Sequence, residues 1–374
     1  MKKILLSNKD VCQRNTCIDV FRALALLTIF INHIPGTIYE DFTHKNFGFS
    51  DSAEAFVFIS GIAVGLSYGT RFNGRNRLIL TIKMWRRTWV LYSAHIMMTF
   101  VTLAIFCGSA IFMDNPELLS EINIRPVIQD PEKALFGIVT LGHQLGYNNI
   151  LPLYMILMFL APLILYVAGA KRRLLVFISG FIYFFSGWFQ IAPHNYPTEG
   201  VWFLNPLSWQ FLFVLGVVST VHVKRGGQIP NHPFLIVGAV SYLLVSLVWV
   251  RYNLWWINIS LNMPDTLIGF NKTYISLPRL LHILAIVYVL TAIPAFSFLV
   301  RLRKWNPLVI LGKHSLPVFI SGTILSLIAQ IIKKLTPASI FYDTLLILLG
   351  IFVQFALAYY LEWVTVLKQR TEML

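Results

Sequence analysis

Apolar runs of about 20 residues, repeated along almost the whole chain, constrain this sequence more than any other feature. They fall at roughly 18–38, 51–70, 88–111, 150–169, 173–190, 205–222, 233–251, 275–294, 314–332 and 343–366. Twenty residues at a rise of about 1.5 Å span the ~30 Å hydrocarbon core of a bilayer. Backbone polar groups find no water there, so such segments must be helices that satisfy their own hydrogen bonds. The expected fold class is an all-α polytopic membrane protein with about ten transmembrane helices in one domain, 1–374. Only 12% of the residues are charged, against about 25% in a soluble chain. The segment 134–149 reads as a re-entrant or interfacial piece. Only Ala170–Arg173 separates the fourth and fifth spans, which makes them an antiparallel hairpin. Pro317 sits in the first turn of the ninth span, where proline is tolerated.

The net charge of +14 invites a nucleic-acid partner, but the charge is confined to alternate loops and no soluble domain carries a basic patch. Lys2, Lys3, Lys9 and Arg14 precede the first span, and Arg71, Arg75, Arg77, Lys83, Arg86 and Arg87 follow the second. Lys171, Arg172, Arg173, Lys224, Arg225, Arg301, Arg303, Lys304, Lys313, Lys368 and Arg370 lie on the same side of a ten-span arrangement, 21 of the 30 basic residues in all. The opposite loops are acidic or neutral, with Glu40, Asp41, Asp114, Glu117, Glu121, Asp130, Glu132 and Glu199. The positive-inside rule then puts both termini in the cytoplasm, 1–17 as an N-terminal segment and 367–374 as a tail. The first apolar run lacks a small-residue cleavage site and reads as a span, not a signal peptide. Cys12, Cys17 and Cys107 have no metal-ligand spacing and are given no role.

Ionisable residues inside membrane helices are expensive and are functional candidates by default. Asp19, Arg22 and His33 lie on the first span. Arg22 and His33 are eleven residues apart, so they share a face about 16 Å apart along the axis. Asp51 and Glu54 open the second span, where Gly61 and Gly65 form a small-xxx-small pair that admits a close helix neighbour. Arg279 and His282, three apart in the eighth span, share a face. His33, the two carboxylates, Arg279 and His282 all belong to the outer halves of their spans, so their convergence would build one polar pocket.

A histidine oriented by a carboxylate is a general base suited to neutral pH. His33 would take the proton of a sugar hydroxyl attacking an acyl group, with Glu54 or Asp51 holding the ring. Asn32 points about 100° away from it and gives support only. Arg279 would clamp a carboxylate, or equally pair with Asp51 or Glu54. Arg22, Asn32, Arg279, His282, Trp209 and Gln210 are the expected substrate contacts; Gln210 lies within a span, where an amide must find a partner. Trp202, Asn205, Trp255, Trp256 and Asn258 make the outer loops rich in aromatic and amide groups, Trp255 and Trp256 reading as interfacial anchors.

At the inner side the run Gly312–Lys313–His314–Ser315–Leu316–Pro317 opens the ninth span, with Ser315 as N-cap. A helix N-terminus beside Lys313 is an anion site, so Lys313, His314 and Ser315, with the basic second loop, would hold the phosphates of a nucleotide-like donor; a plain helix cap is the competing reading. His194, His222 and His232 read as loop residues. A His33, His44 and Asp51 trio matches no metal template, and no metal is expected. There is no phosphate loop, dinucleotide fingerprint or HExxH.

The stretches FRALALLTIFINHIPG, NFGFSDSAEAFVFISG, ILPLYMILMFLAPLIL, PRLLHILAIVYVL and GKHSLPVF resemble the OpgC family of membrane acyltransferases, from Asp19 to Phe319. The arginine and histidine separated by ten residues, Arg22 and His33, are also similar to the wider acyltransferase-3 superfamily. The resemblance implies a multi-pass protein of the bacterial inner membrane that transfers succinyl groups to osmoregulated periplasmic glucans. It implies acyl-CoA, as succinyl-CoA, for co-substrate, with no covalently bound cofactor. It makes His33 the catalytic candidate with Arg22 in its motif, and Arg279 the clamp for a succinyl carboxylate. Membrane lipids are the remaining partners, and homo-oligomerisation is left open. Two other readings stand beside this one: a transporter or flippase for an anionic or glycan substrate, and an O-acetyltransferase acting on another surface glycan. The halves show no repeat of the kind transporters carry.

Overall fold

The computed structural model describes residues 16–257, 262–293, 300–337 and 339–372. The basic residues Lys2, Lys3, Lys9 and Arg14, together with Cys12 and Asn258, lie outside the described residues. The long helices are α1 Thr16–Asn32, α2 Ser52–Tyr68, α3 Arg77–Phe112, α4 Ile150–Ala170, α5 Arg172–Trp188 and α6 Pro206–Lys224. They continue with α7 Pro233–Arg251, α8 Leu277–Ala292, the short α9 Pro307–Lys313, α10 Ser315–Leu335 and α11 Ile340–Thr371. Among the described residues the only extended pairing is an isolated bridge between His194 and Val201.

Each of the ten expected segments falls on a helix, and six helices (α3, α4, α6, α7, α10 and α11) are long and apolar enough to cross a membrane. The protein is therefore a helical, multi-pass membrane protein. The other four segments coincide with helices of 16 or 17 residues. Two boundaries differ in an instructive way. Helix α3 starts at Arg77 and runs for 36 residues, eleven positions before the expected span, because lysine and arginine end an apolar run without ending a helix. The run before Pro317 holds a second helix, α9, capped by Asn306, whose Oδ1 accepts from the amide of Leu308 at 3.0 Å. Ser315 is consequently not an N-cap. It is the first residue of α10, and His314 occupies the break. Pro317 has no N–H to give the preceding turn and its ring crowds the carbonyl four residues back, which disfavours one continuous helix there.

Helix α6 is the inner post of the bundle and packs against α2, α4 and α5. Trp209, Leu212, Phe213 and Val217 on it are buried against Val57, Phe58 and Val64 of α2 and Leu153, Leu157 and Ala161 of α4. The approach of α2 requires glycine. A Cβ on Gly61 would lie 2.2 Å from the carbonyl oxygen of Phe213, and one on Gly65 would lie 2.8 Å from Thr220 Cβ, which is the close contact expected of that pair. Helix α1 is held between α2, α9 and α10. It ends at Asn32, ahead of Pro35, which disfavours helical backbone at the residue before it, and Gly36, whose φ of +78° suits glycine.

Candidate functional site

The first turns of α2 and α8 are joined by their charged side chains, and α1 packs on α2. Asp51 caps α2: its Oδ1 accepts from the amide of Ala53 at 2.8 Å, and Glu54 Oε2 accepts from the amide of Asp51 at 3.0 Å. Together they form a capping box. Their remaining oxygens face cations. Arg279 donates to Glu54 Oε1 through Nε at 2.7 Å and Nη2 at 2.6 Å, and reaches Asp51 Oδ2 at 3.4 Å. Lys272 completes the group through Asp51 Oδ2. His282 does not join it. Its Nδ1 pairs with the Ser50 hydroxyl at 2.7 Å, and the ring lies so close to Gly48 that a Cβ there would be 1.9 Å from Nε2. His282 therefore pins the turn that delivers Asp51, and is not placed as a substrate contact.

The ring of His33 is not held by either carboxylate, contrary to expectation. It stacks on Tyr147 with centroids 4.1 Å apart and planes 13° from parallel. Gln330 of α10 donates to the His33 carbonyl at 2.6 Å, and His33 Nδ1 is buried without a hydrogen-bond partner. Asp51 and Glu54 cannot serve it because their oxygens are taken by the cap and by Arg279 and Lys272. Asn32 accepts from the Thr43 hydroxyl at 2.6 Å, tying the end of α1 to the following loop. His44 contacts Ser52 at 3.4 Å, and burial pushes its imidazole below the ordinary range. Among the described residues no three His, Cys, Asp or Glu side chains gather as a metal site requires.

Trp209 and Gln210 turn to the protein as well. Trp209 is wholly buried and donates to the carbonyl of Lys272 at 3.2 Å. Gln210 accepts from the Ser179 hydroxyl at 2.6 Å and donates to the Ser179 carbonyl at 2.9 Å. The amide has found its partner on the neighbouring helix, as the low-polarity interior demands, so neither residue is placed to contact substrate.

Two regions of open space lie along α1. Beyond the His33 end is a cavity of about 660 Å³. Its walls are rich in amides, among them Asn123, Gln144, Asn149, Asn195 and Gln330, with Tyr147 and Phe203 as aromatic faces. His33 stacks on the wall residue Tyr147 and is not itself a wall. At the Arg22 end is a narrower cavity of about 180 Å³ lined by Arg22, Ser60, Arg87, Tyr154, Lys313 and Ser315. Arg22 lies 3.5 Å from Asp19. Lys313 donates to both oxygens of Glu362, at 2.8 and 2.7 Å, and His314 Nε2 lies 2.9 Å from the same carboxylate. Lys313 and Ser315 thus face the cavity as expected, while His314 is turned to α11. Through Arg87 and Tyr154 this cavity adjoins another of about 410 Å³ that adds Lys83, Arg86, Ser67 and Tyr68.

Sequence reasoning missed Tyr147, Gln330 and Lys272. The amide-rich run Gln144–Asn149 was a usable signal for Tyr147. Arg87 belongs to the basic second loop expected beside Lys313, and it lines the same cavity.

A family model described as OpgC protein matches residues 14–366. Among curated proteins, the sulfite efflux pump SSU1 of Trichophyton rubrum is 33% identical over 95 residues, which are 25% of this chain and 24% of that protein. The sulfite efflux pump SSU1 of Arthroderma otae is 32% identical over the same length. The chain spans about a quarter of the length of these curated relatives. No solved structure matches.

Proposed function

The chain belongs to the OpgC family, and from that premise, which supports an acyltransferase-type function on glucans, we propose that it moves an acyl group, succinyl by family resemblance, from a cytoplasmic acyl-CoA to a hydroxyl of a periplasmic glucan. The observation that carries this reading is the pair of unlike cavities at the two ends of α1. The inner one, with Arg22, Arg87 and Lys313, suits a polyphosphate. The outer one, with its amides and the faces of Tyr147 and Phe203, suits a sugar. In the proposed arrangement all ten segments cross the bacterial inner membrane with both termini inside, following the positive loops.

In the reaction, the acceptor hydroxyl attacks the thioester carbonyl while His33 removes its proton. The new C–O bond forms, the C–S bond breaks, and the proton on His33 passes to the departing thiolate, leaving acylated glucan and free thiol. Asp51 and Glu54, bound to Arg279 and Lys272, position the start of α2 beside His33. Arg279, held by Glu54 and Asp51, follows the pairing role that was the alternative to a succinyl clamp, and Lys272 is bound to Asp51 in the same cluster.

Mass spectrometry of periplasmic glucans from cells with and without the gene tests this. A gene-dependent gain of one succinyl unit that disappears in His33→Ala is expected. An acetyl gain instead replaces the acyl group and keeps the reaction class. The local likeness to sulfite efflux pumps favours one second reading, export of an anion. Substrate flux with no donor consumption and no modified glycan would transfer the assignment to it.

A further inference from the structure

One face of α3 carries polar groups through a bundle that is otherwise apolar. Leu91, His95, Thr99 and Thr102 recur at helical spacing on that face, and all four are fully buried. Leu91 lines the inner cavity. One turn above it, His95 is buried with neither ring nitrogen in a hydrogen bond. Two turns further along, the Thr102 hydroxyl accepts from Asn148 Nδ2 at 3.3 Å, and Asn148 Oδ1 is buried without a partner.

Asn148 lies in a stretch of chain whose residues line both cavities. Its neighbours Tyr147 and Asn149 are walls of the outer cavity, and Ile150 and Leu151, the next residues of the same chain, are walls of the inner one. The polar face of α3 therefore leads from the cationic cavity to the turn that separates it from the amide-lined one. Buried polar groups are normally paired, and one left alone lowers stability by about 1–3 kcal/mol. Three orphaned atoms on one track between two cavities call for a ligand that supplies donors and acceptors at intervals along its length.

We propose that His95 and Asn148 seat the amide-bearing thioester arm of the donor, which threads from the cationic cavity towards His33. This rests on the acyltransferase reading above. A linear arm with two secondary amides offers the N–H and C=O groups that the imidazole and the Asn148 carbonyl lack, while the apolar walls accept its methylenes. The nucleotide end stays with Arg22, Arg87 and Lys313.

The experiment is equilibrium binding to the purified full chain with two probes: an acyl-CoA, and adenosine 3′,5′-bisphosphate, which has the charged end without the arm. His95→Leu should weaken acyl-CoA binding by about tenfold, as expected for the loss of a buried hydrogen bond, and leave bisphosphate binding unchanged. Its melting temperature should hold or rise, since an orphaned imidazole has been replaced by an apolar group. Thr102→Val, nearly isosteric, frees Asn148 from its anchor and should shift acyl-CoA binding in the same direction by a smaller factor. Equal binding of acyl-CoA by wild type and both variants overturns this inference and leaves the acyltransferase reading standing. Parallel loss of both probes with a lower melting temperature identifies a structural role and also overturns it. Absence of acyl-CoA binding to the wild type, by contrast, removes the acyltransferase reading itself.

Discussion

The two charged regions of this protein use the same residue types to opposite ends. At the N-terminal ends of α2 and α8, Asp51, Glu54, Lys272 and Arg279 balance one another, and the Glu54 side chain is fully buried. At the Arg22 end of α1, three cations line the small cavity and further basic residues line its neighbour, with no carboxylate among the walls of either. Arg22 and Lys313 have carboxylate partners outside those walls, Asp19 and Glu362, and Arg87 has no acidic partner among the described residues. A neutral, saturated cluster holds helices in place, whereas a cationic wall is suited to hold an anion. The resemblance of composition conceals that difference, and only the pairing reveals it.

The largest expected effect lies between the two regions. His33→Ala should lower acyl transfer by about 10²–10⁴-fold, the range for loss of a general base, with the fold retained by thermal melting; an active variant sinks the assigned role. Next comes the saturated cluster. Glu54→Ala strands Arg279 and should destabilise the protein by about 3–5 kcal/mol, whereas joint replacement of Glu54 and Arg279 by methionine should recover most of that loss. If the recovered double variant also transfers acyl groups, the cluster is structural. If it folds but is inactive, Glu54 or Arg279 takes part in the chemistry.

The cationic region should respond in the other way. Arg87→Ala removes a charge-assisted contact worth about 1.5–3 kcal/mol, so KM for the acyl-CoA donor should rise roughly ten- to a hundredfold with no change in melting temperature. A fall in stability without a change in KM would erase the distinction between the regions. Tyr147→Leu removes the ring stacked on His33, an interaction of about 0.5–1.5 kcal/mol, and transfer should fall several-fold.

The smallest effect is on pH. His44 and His143 lie in loops, and burial holds both below the ordinary 6.5. The unfolded chain therefore binds protons first as the pH falls. Stability should be complete above pH 6.5 and decline as the pH drops towards the folded-state values. A melting temperature flat from pH 7.5 to about 5.5 would contradict this sign.

The helices were legible because hydrocarbon permits few alternatives: an apolar run of sufficient length has to be helical. The glycine contact of Gly61 was legible for a related reason, since small residues at helical spacing on a membrane helix anticipate a close neighbour. Asp51 and Glu54 were read as supports for the His33 ring, and their spacing, three residues apart at the head of an apolar run, also carried the capping box that the fold builds from them. Gln210 was correctly seen as needing a partner, but a sequence cannot say whether the partner is a ligand or Ser179.

The sequence alone determined that this is a helical membrane protein, which segments form its helices, and that its polar residues concentrate near the ends of α1, α2 and α8. These are local consequences of hydropathy and spacing, each settled within a single segment. Tertiary structure alone decided that His33 stacks on Tyr147, that Arg279 is occupied by Glu54, and that Arg22, Arg87 and Lys313 face one cavity. Those pairings join residues tens to hundreds of positions apart, and they depend on how close-packed helices exclude every other partner.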